Sequence, residues 1–93
     1  MTKYRLKLFI TRHTPKSERA IKTLRDLCEH QLNGQCELSI IDVQENPELA
    51  DDEKVLATPT LIRELPPPVL RIIGDLLDGE KILTGLDLQT LQR

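Results

Sequence analysis

Between Tyr4 and Val43 the chain reads strand, helix, strand, and that order limits the fold more than any other feature. Tyr4-Arg5-Leu6-Lys7-Leu8-Phe9-Ile10 alternates polar and apolar residues, so Tyr4, Leu6, Leu8 and Ile10 share one face of a strand, and Phe9 adds apolar character to the other. Thr14-Pro15 then predicts a helix start: threonine caps, and proline's missing N–H costs nothing where a helix has no acceptor for it. Ile21, Leu24, Leu27, Cys28 and Leu32 recur at three- and four-residue steps and form a buried stripe, while Lys16, Glu18, Arg19, Lys22, Arg25 and Asp26 face water. Asn33-Gly34 ends the helix, because glycine takes the left-handed conformation of a C-cap without steric penalty. The run from Cys36 to Val43, with Leu38, Ile40 and Ile41, suits a strand covered on both faces. Two strands around one helix make a parallel βαβ unit, so the chain is placed in the α/β class.

The second half carries weaker punctuation. Asn46-Pro47 repeats the cap-then-proline signal, and Glu48, Asp51, Asp52 and Glu53 follow it, which predicts a short, mostly exposed helix. Thr58-Pro59-Thr60-Leu61-Ile62 reads as extended, Pro66-Pro67-Pro68 excludes helix interior and central strand, and Val69 to Ile73 is again strand-like. Beyond Gly74, Leu76, Leu77, Ile82, Leu83, Leu86 and Leu88 fit a helix or a strand equally, with Gly79 and Gly85 interrupting either pattern. Neither a repeat nor a linker divides the 93 residues, so one domain is expected over 1–93.

Charge excludes a class of ligand. The 13 Lys and Arg against 15 Asp and Glu give a formal net charge of -2, without the cationic excess that drives counterion release from nucleic acid. No apolar run approaches the roughly 20 residues of a bilayer span, and Met1-Thr2-Lys3 does not open an apolar signal region, so a cytoplasmic protein is expected. Cys28 and Cys36, eight positions apart, match neither a redox CxxC pair nor a zinc framework and read as reduced, structural thiols.

A strand, a helix opening at Thr14-Pro15, a second βα step and Thr58-Pro59-Thr60 together look like a thioredoxin-type layout, in which a reactive CxxC opens the first helix and a cis-proline faces it. Here the corresponding stretch is Thr14-Pro15-Lys16-Ser17, which holds no thiolate, and Pro59 is the cis-proline candidate. Apart from His13 the Thr14 and Ser17 hydroxyls have no nearby base in sequence; a loop and helix cap is the preferred reading over a His-assisted nucleophile. His30 near the helix end reads as a solvated residue favoured by the dipole. Asp51-Asp52-Glu53 could ligate a metal, but consecutive helical residues point different ways, so a solvated face is preferred and no metal or cofactor is expected. The sequence has no Gly-rich phosphate loop, HExxH or GxSxG pattern, so no catalytic residue is assigned.

Asn46-Pro47-Glu48-Leu49-Ala50, Lys54-Val55-Leu56-Ala57-Thr58-Pro59-Thr60-Leu61, Leu65-Pro66-Pro67-Pro68-Val69, Arg71-Ile72-Ile73-Gly74-Asp75-Leu76 and Gly85-Leu86-Asp87-Leu88 resemble the KaiB family in order and spacing, from Tyr4 to about Leu88. The resemblance implies a metamorphic domain: a tetrameric ground form with its own α/β topology, the one expected in a crystal, exchanges with a rare thioredoxin-like monomer. That monomer binds the KaiC ATPase ring of the bacterial circadian clock. The implied function is non-catalytic: binding of a KaiC-type ATPase and modulation of its phosphorylation or output, by a protein that is itself a homo-oligomer, tetramer or dimer. By position the resemblance gives Asn46, Pro47, Asp51, Lys54 and Arg71 to partner binding, and Gly85 and Asp87 to the bias between the two folds. Weak, mixed signals after Gly74 suit a segment that must be stable in two folds.

The chain departs from the clock members at three places. Arg12-His13 stands where Gly-Asn is usual, Glu45 where a lysine precedes Asn-Pro, and the chain ends at Thr90-Leu91-Gln92-Arg93 without an acidic tail. These leave KaiC binding in the expectation and count against KaiA, the KaiB-like sensor kinase and a timing role, without removing the chain from the circadian-clock class. Two other readings stand beside it: a stress-signalling paralogue whose partner is a histidine kinase or another protein, and a thioredoxin-like redox protein using Cys28 or Cys36.

Overall fold

The computed structural model describes residues 3–12, 14–74, 76 and 78–88. Strand β1 (Tyr4–Ile10) is followed by helix α1 (Pro15–Asp26), which widens into one π turn over Leu27–Gln31 before strand β2 (Cys36–Asp42). Helix α2 (Pro47–Asp52), strands β3 (Thr60–Leu65) and β4 (Leu70–Ile73), and helix α3 (Gly79–Gly85) complete the order. The strands lie β2-β1-β3-β4 in one sheet, with β1 parallel to β2 and antiparallel to β3, and β4 antiparallel to β3. This is the thioredoxin-like arrangement. Of the two topologies implied by the resemblance, the structure therefore has the one expected to be rare, because β3 and β4 fold as a hairpin on β1, and α3 follows as a helix.

Alternation in β1 gives the sheet two covered faces. Tyr4, Leu6, Leu8 and Ile10 are buried with Ile21, Leu24, Leu27 and Leu32 of the first helical segment, and with Leu76, Ile82 and Leu86 around α3. On the opposite face Phe9 and Ile62 are fully buried, and Lys7 beside them reaches Glu53 at the end of α2. Hence α1 and α3 cover one face, and α2 with its following turn covers the other. β2 differs from the expected strand buried on both faces: it is the sheet edge and is only half-buried along most of its length.

The thiols also differ from expectation. Cys28 and Cys36 are joined in a disulfide, with Cα atoms 5.3 Å apart. Asn33 (φ 53°) and Gly34 (φ 72°) reverse the chain there, so the last helical turn comes back beside the first residue of β2, within disulfide range. Spacing in sequence carried no sign of that return.

α3 resolves the ambiguity of the C-terminal segment in favour of a helix. Asp78 caps it by accepting from Glu80 N and Lys81 N, and the two glycines fall at its first and last positions instead of breaking it. Its far end is closed by Asp87 in the left-handed region (φ 50°), with Leu88 N donating to Leu83 O and Asp87 N to Thr84 O. Gly85 itself has no left-handed angle; its constraint is proximity, since a Cβ would lie 2.7 Å from Ile72 Cδ1 on β4.

Arg63 ties these parts together. It lies on β3 two residues after Leu61, on the core side, and is only 4% exposed. Its Nη1 donates to Leu86 O (2.9 Å) and Asp87 O (3.3 Å) at the end of α3, and its Nη2 to Pro68 O (3.0 Å) in the proline turn. A helix C-terminus is a favourable place for this cation, and the same bonds satisfy carbonyls that the helix leaves without partners.

Two measurements follow from these contacts. Arg63→Ala leaves three carbonyls without their donor and lowers the unfolding free energy by about 2–4 kcal/mol in urea denaturation, with Arg63→Lys losing less; a loss under about 0.5 kcal/mol for the alanine would contradict the role given to Arg63. Lys7 hydrogen-bonds Glu64 (2.8 Å) and Glu53 (3.4 Å); the Glu64 bond, then the charges of Glu53 and Glu64, outweigh burial and raise its pKa above the usual 10.5. A raised pKa in the folded state means stability present below 10.5 and lost as pH climbs through the folded value. The stability gap between the native chain and Lys7→Met is thus expected to stay constant from neutral pH up to 10.5 and to close above it; a gap independent of pH above 10.5 would refute the assignment.

Candidate functional site

Most of the residues marked in the sequence fall at two places on this fold: the mouth of α1, and the face formed by α2 with β4. At the mouth, Thr14 is the N-cap, its hydroxyl accepting from Ser17 N at 3.1 Å, while Ser17 Oγ accepts from Thr14 N at 2.7 Å. The Ser17 hydroxyl also lies 3.0 Å from the carbonyl oxygens of Arg12 and Thr14. Ser17 is buried in this capping box and occupied by it, so it presents no free nucleophile. His13, the base considered for it, lies outside the described residues.

Across from the cap the Thr58–Pro59 peptide is cis, and the hydroxyls of Thr11 and Thr58 are 2.7 Å apart. Ile10, Thr11, Thr14, Lys16, Ser17, Thr58 and Pro59 enclose a depression of about 160 Å³. No sulfur lines it. Both cysteines sit at the far end of the first helical segment, so among the described residues the place where a thioredoxin-type thiol would act is lined by hydroxyls, a lysine, a proline and an isoleucine.

The second place is built by the end of α2. Pro47 opens the helix after Asn46, whose side-chain amide donates back to Asp42 O (3.2 Å) instead of capping. Asp51 and Asp52 are exposed and Ala50 is buried toward the sheet. Lys54 takes the left-handed conformation (φ 55°), with Lys54 N donating to Asp51 O (3.0 Å) and Val55 N to Ala50 O (2.9 Å). That pair of bonds is a Schellman closure, formed around a lysine in the position glycine usually fills.

Arg71 on β4 completes it. Its Nη2 donates to Glu53 O (2.9 Å) and its Nη1 to Lys54 O (3.3 Å), giving donors to carbonyls that α2 leaves exposed. From below, the Lys7 ammonium holds the Glu53 carboxylate. The end of α2 is therefore clamped from two strands, and the exposed Lys54 side chain projects from a fixed backbone. Of the residues that the sequence marked, Asp51, Lys54 and Arg71 come together here, with Asn46 and Pro47 at the other end of the same helix. Gly85 and Asp87 do not join them; they close α3.

Sequence reasoning passed over Lys7 and Arg63. The signal for Arg63 was an arginine in phase with Leu61 on a strand, where an apolar residue would be ordinary. Glu53 was read as part of a solvated acidic run, whereas it is half-buried against Lys7. Among the described residues no group of His, Cys, Asp and Glu gathers to hold a metal ion, and no helix is long and apolar enough to cross a membrane.

Comparison with known proteins agrees with this geometry. The chain is similar in fold to the N-terminal domain of Synechococcus elongatus SasA, with a TM-score of 0.75 and 22% identity, over 96% of this chain and 88% of that one. Chloroplastic thioredoxin z is also similar, with a TM-score of 0.73 and 22% identity, over 90% and 75% of the two chains. At such identities the likeness concerns the fold. In sequence, the circadian clock oscillator protein KaiB of Prochlorococcus marinus (strain MIT 9303) is 58% identical over 91% of this chain and 71% of its own length. The protein of the same description from Microcystis aeruginosa is 55% identical over 91% and 82%. The KaiB domain matches residues 7–88, a span that takes in the α1 mouth, the clamped end of α2 and the closure of α3, and the chain accordingly belongs to the KaiB family.

Proposed function

We propose that this chain is a non-catalytic regulatory protein of the cytoplasm, working as one domain, that docks in its thioredoxin-like form on a KaiC-type ATPase ring and alters the ring's phosphorylation state or output. The observation that carries the reading is the clamped end of α2, where Lys54 is presented on a backbone fixed by Arg71 and Lys7. Ordering a contact residue before binding lowers the entropic cost of association, which is what a docking surface gains from such a clamp.

In this reading Asn46, Pro47 and Asp51 give the α2 side of the contact, and Lys54 its central charge. Arg71 is a positioning residue, since its guanidinium is engaged by Glu53 O and Lys54 O. Leu56, 92% exposed two residues beyond Lys54, supplies an apolar group of the kind that anchors interfaces. Gly85 and Asp87 act through the fold: one permits α3 to approach Ile72, and the other closes the helix in a left-handed conformation. A resting homo-oligomer in the other topology would leave only a fraction of the chains competent, and docking would then be slow. KaiA and a KaiB-like sensor kinase are not proposed as partners, because Arg12, bonded to Gln44 Oε1, and the exposed Glu45 change the chemistry beside α2.

Size-exclusion of the chain with a purified KaiC-type ATPase tests this. A complex is expected to accumulate slowly. Lys54→Gly keeps the left-handed cap while removing the whole side chain with its ammonium, so it should leave thermal stability within about 0.5 kcal/mol and weaken docking by about ten-fold or more. No complex after prolonged incubation at high concentration, or native affinity for Lys54→Gly, would overturn the proposal.

A further inference from the structure

Cys28 and Cys36 take no part in the docking face or in the mouth of α1, yet their surroundings are those of a reactive pair. The bridge is not what shapes the chain reversal it spans. Gly34 N donates to Cys28 O (2.9 Å), Gln35 N to Leu32 O (2.9 Å) and Leu32 N to Leu27 O (3.0 Å), while Gln35 O accepts from Lys3 N and Tyr4 N at 3.1 Å each. With the sulfurs apart, the turn would keep its own main-chain bonds, so the bridge is free to open without unfolding it.

Access is one-sided. Cys28 is buried, whereas Cys36 is half-buried at the first residue of the edge strand β2. Both residues line an open cavity of about 360 Å³, together with Arg25, Glu29, Gly34 and Leu38. Arg25, Glu29 and Gly34 are exposed, so the cavity communicates with solvent and offers one cation and one anion beside the sulfurs. A thiol that carries both carboxylates and an ammonium group, as glutathione does, matches that pair of charges and the size of the cavity.

We propose that Cys28–Cys36 is a thiol-exchange site for a low-molecular-weight thiol of the glutathione class, with Cys36 as the sulfur that takes the adduct. The attacking thiolate forms a bond to Cys36 Sγ as the Sγ–Sγ bond breaks, and the electron pair leaves on Cys28, which takes a proton from water. A second thiolate then attacks the sulfur of the bound thiol, releases Cys36 as thiolate and leaves as the oxidised dimer. Two thiols are oxidised and one protein disulfide is reduced; the oxidised dimer drives the same steps backwards. In a reducing compartment such a pair senses the thiol pool instead of stapling the fold.

The test is equilibration of the native chain in glutathione buffers of graded reduced-to-oxidised ratio, followed by acid quench and intact mass. The bridged fraction is expected to follow the ratio, with circular dichroism unchanged. Cys28→Ser, or Cys28→Ala should the serine not fold, takes one glutathione at Cys36 at least ten-fold faster than Cys36→Ser takes one at the buried Cys28, and denaturant removes that difference. Arg25→Glu slows the reaction of glutathione severalfold and that of 2-mercaptoethanol, whose thiolate carries no carboxylate, by distinctly less. A bridged fraction that does not respond to the ratio, equal adduct rates for the two cysteines in the folded protein, or an equal effect of Arg25→Glu on both thiols would overturn the proposal.

Discussion

The arrangement of the C-terminal half rests on one buried guanidinium. Arg63 is held by three backbone carbonyls, from Pro68, Leu86 and Asp87, and among the described residues its Nε has no hydrogen-bond partner. Burying a charge without an acidic partner is costly, and it is sustained only where dipoles converge on it. They converge because β3 runs antiparallel on β1, the proline turn folds back, and α3 ends above β3; in a different pairing of residues 60–88 that set of carbonyls would not meet. The interaction is therefore specific to this topology as well as stabilising within it. β1 to β2, by contrast, need only local periodicity and a parallel pairing.

That division of labour runs through to function. The N-terminal βαβ unit sets up a helix mouth of the thioredoxin type but places a capping box in it, so its polar groups are spent on structure. The C-terminal hairpin then contributes Arg71, which reaches across to the end of α2. A helix of six residues would fray in isolation; here its last carbonyls, its left-handed Lys54 and its Glu53 carboxylate are all held by the sheet. What the molecule offers is a rigid, charged corner with an apolar residue beside it, and a chemically separate pair of sulfurs at the opposite end of α1.

β1 and α1 were legible because each buries one face only, which leaves a clean period of two or of three to four in the sequence; every residue of the stripe Ile21, Leu24, Leu27, Cys28 and Leu32 is buried. β2 misled because β-branched residues on both faces imitate a central strand, and an edge position is set by topology that one chain segment does not encode. α3 was ambiguous since glycines mark both its ends and its closure depends on Asp87 adopting an angle that aspartate takes only when the fold demands it. The disulfide was missed since contact followed from a chain reversal, and eight residues of spacing look the same with or without it. Arg71 and Lys54 were marked by resemblance, but their link, a guanidinium on the carbonyls flanking that lysine, is a tertiary fact.

The Arg63 contacts and the clamp on α2 both depend on residues 60–73 forming an antiparallel hairpin beside β1. Nuclear Overhauser contacts between backbone protons across β3 and β4 test it directly in solution. The structure predicts cross-strand contacts for Thr60 with Ile73 and Ile62 with Arg71, together with contacts from Leu8 to Leu61. Helical contacts along residues 60–73, with none to Leu8, would contradict it.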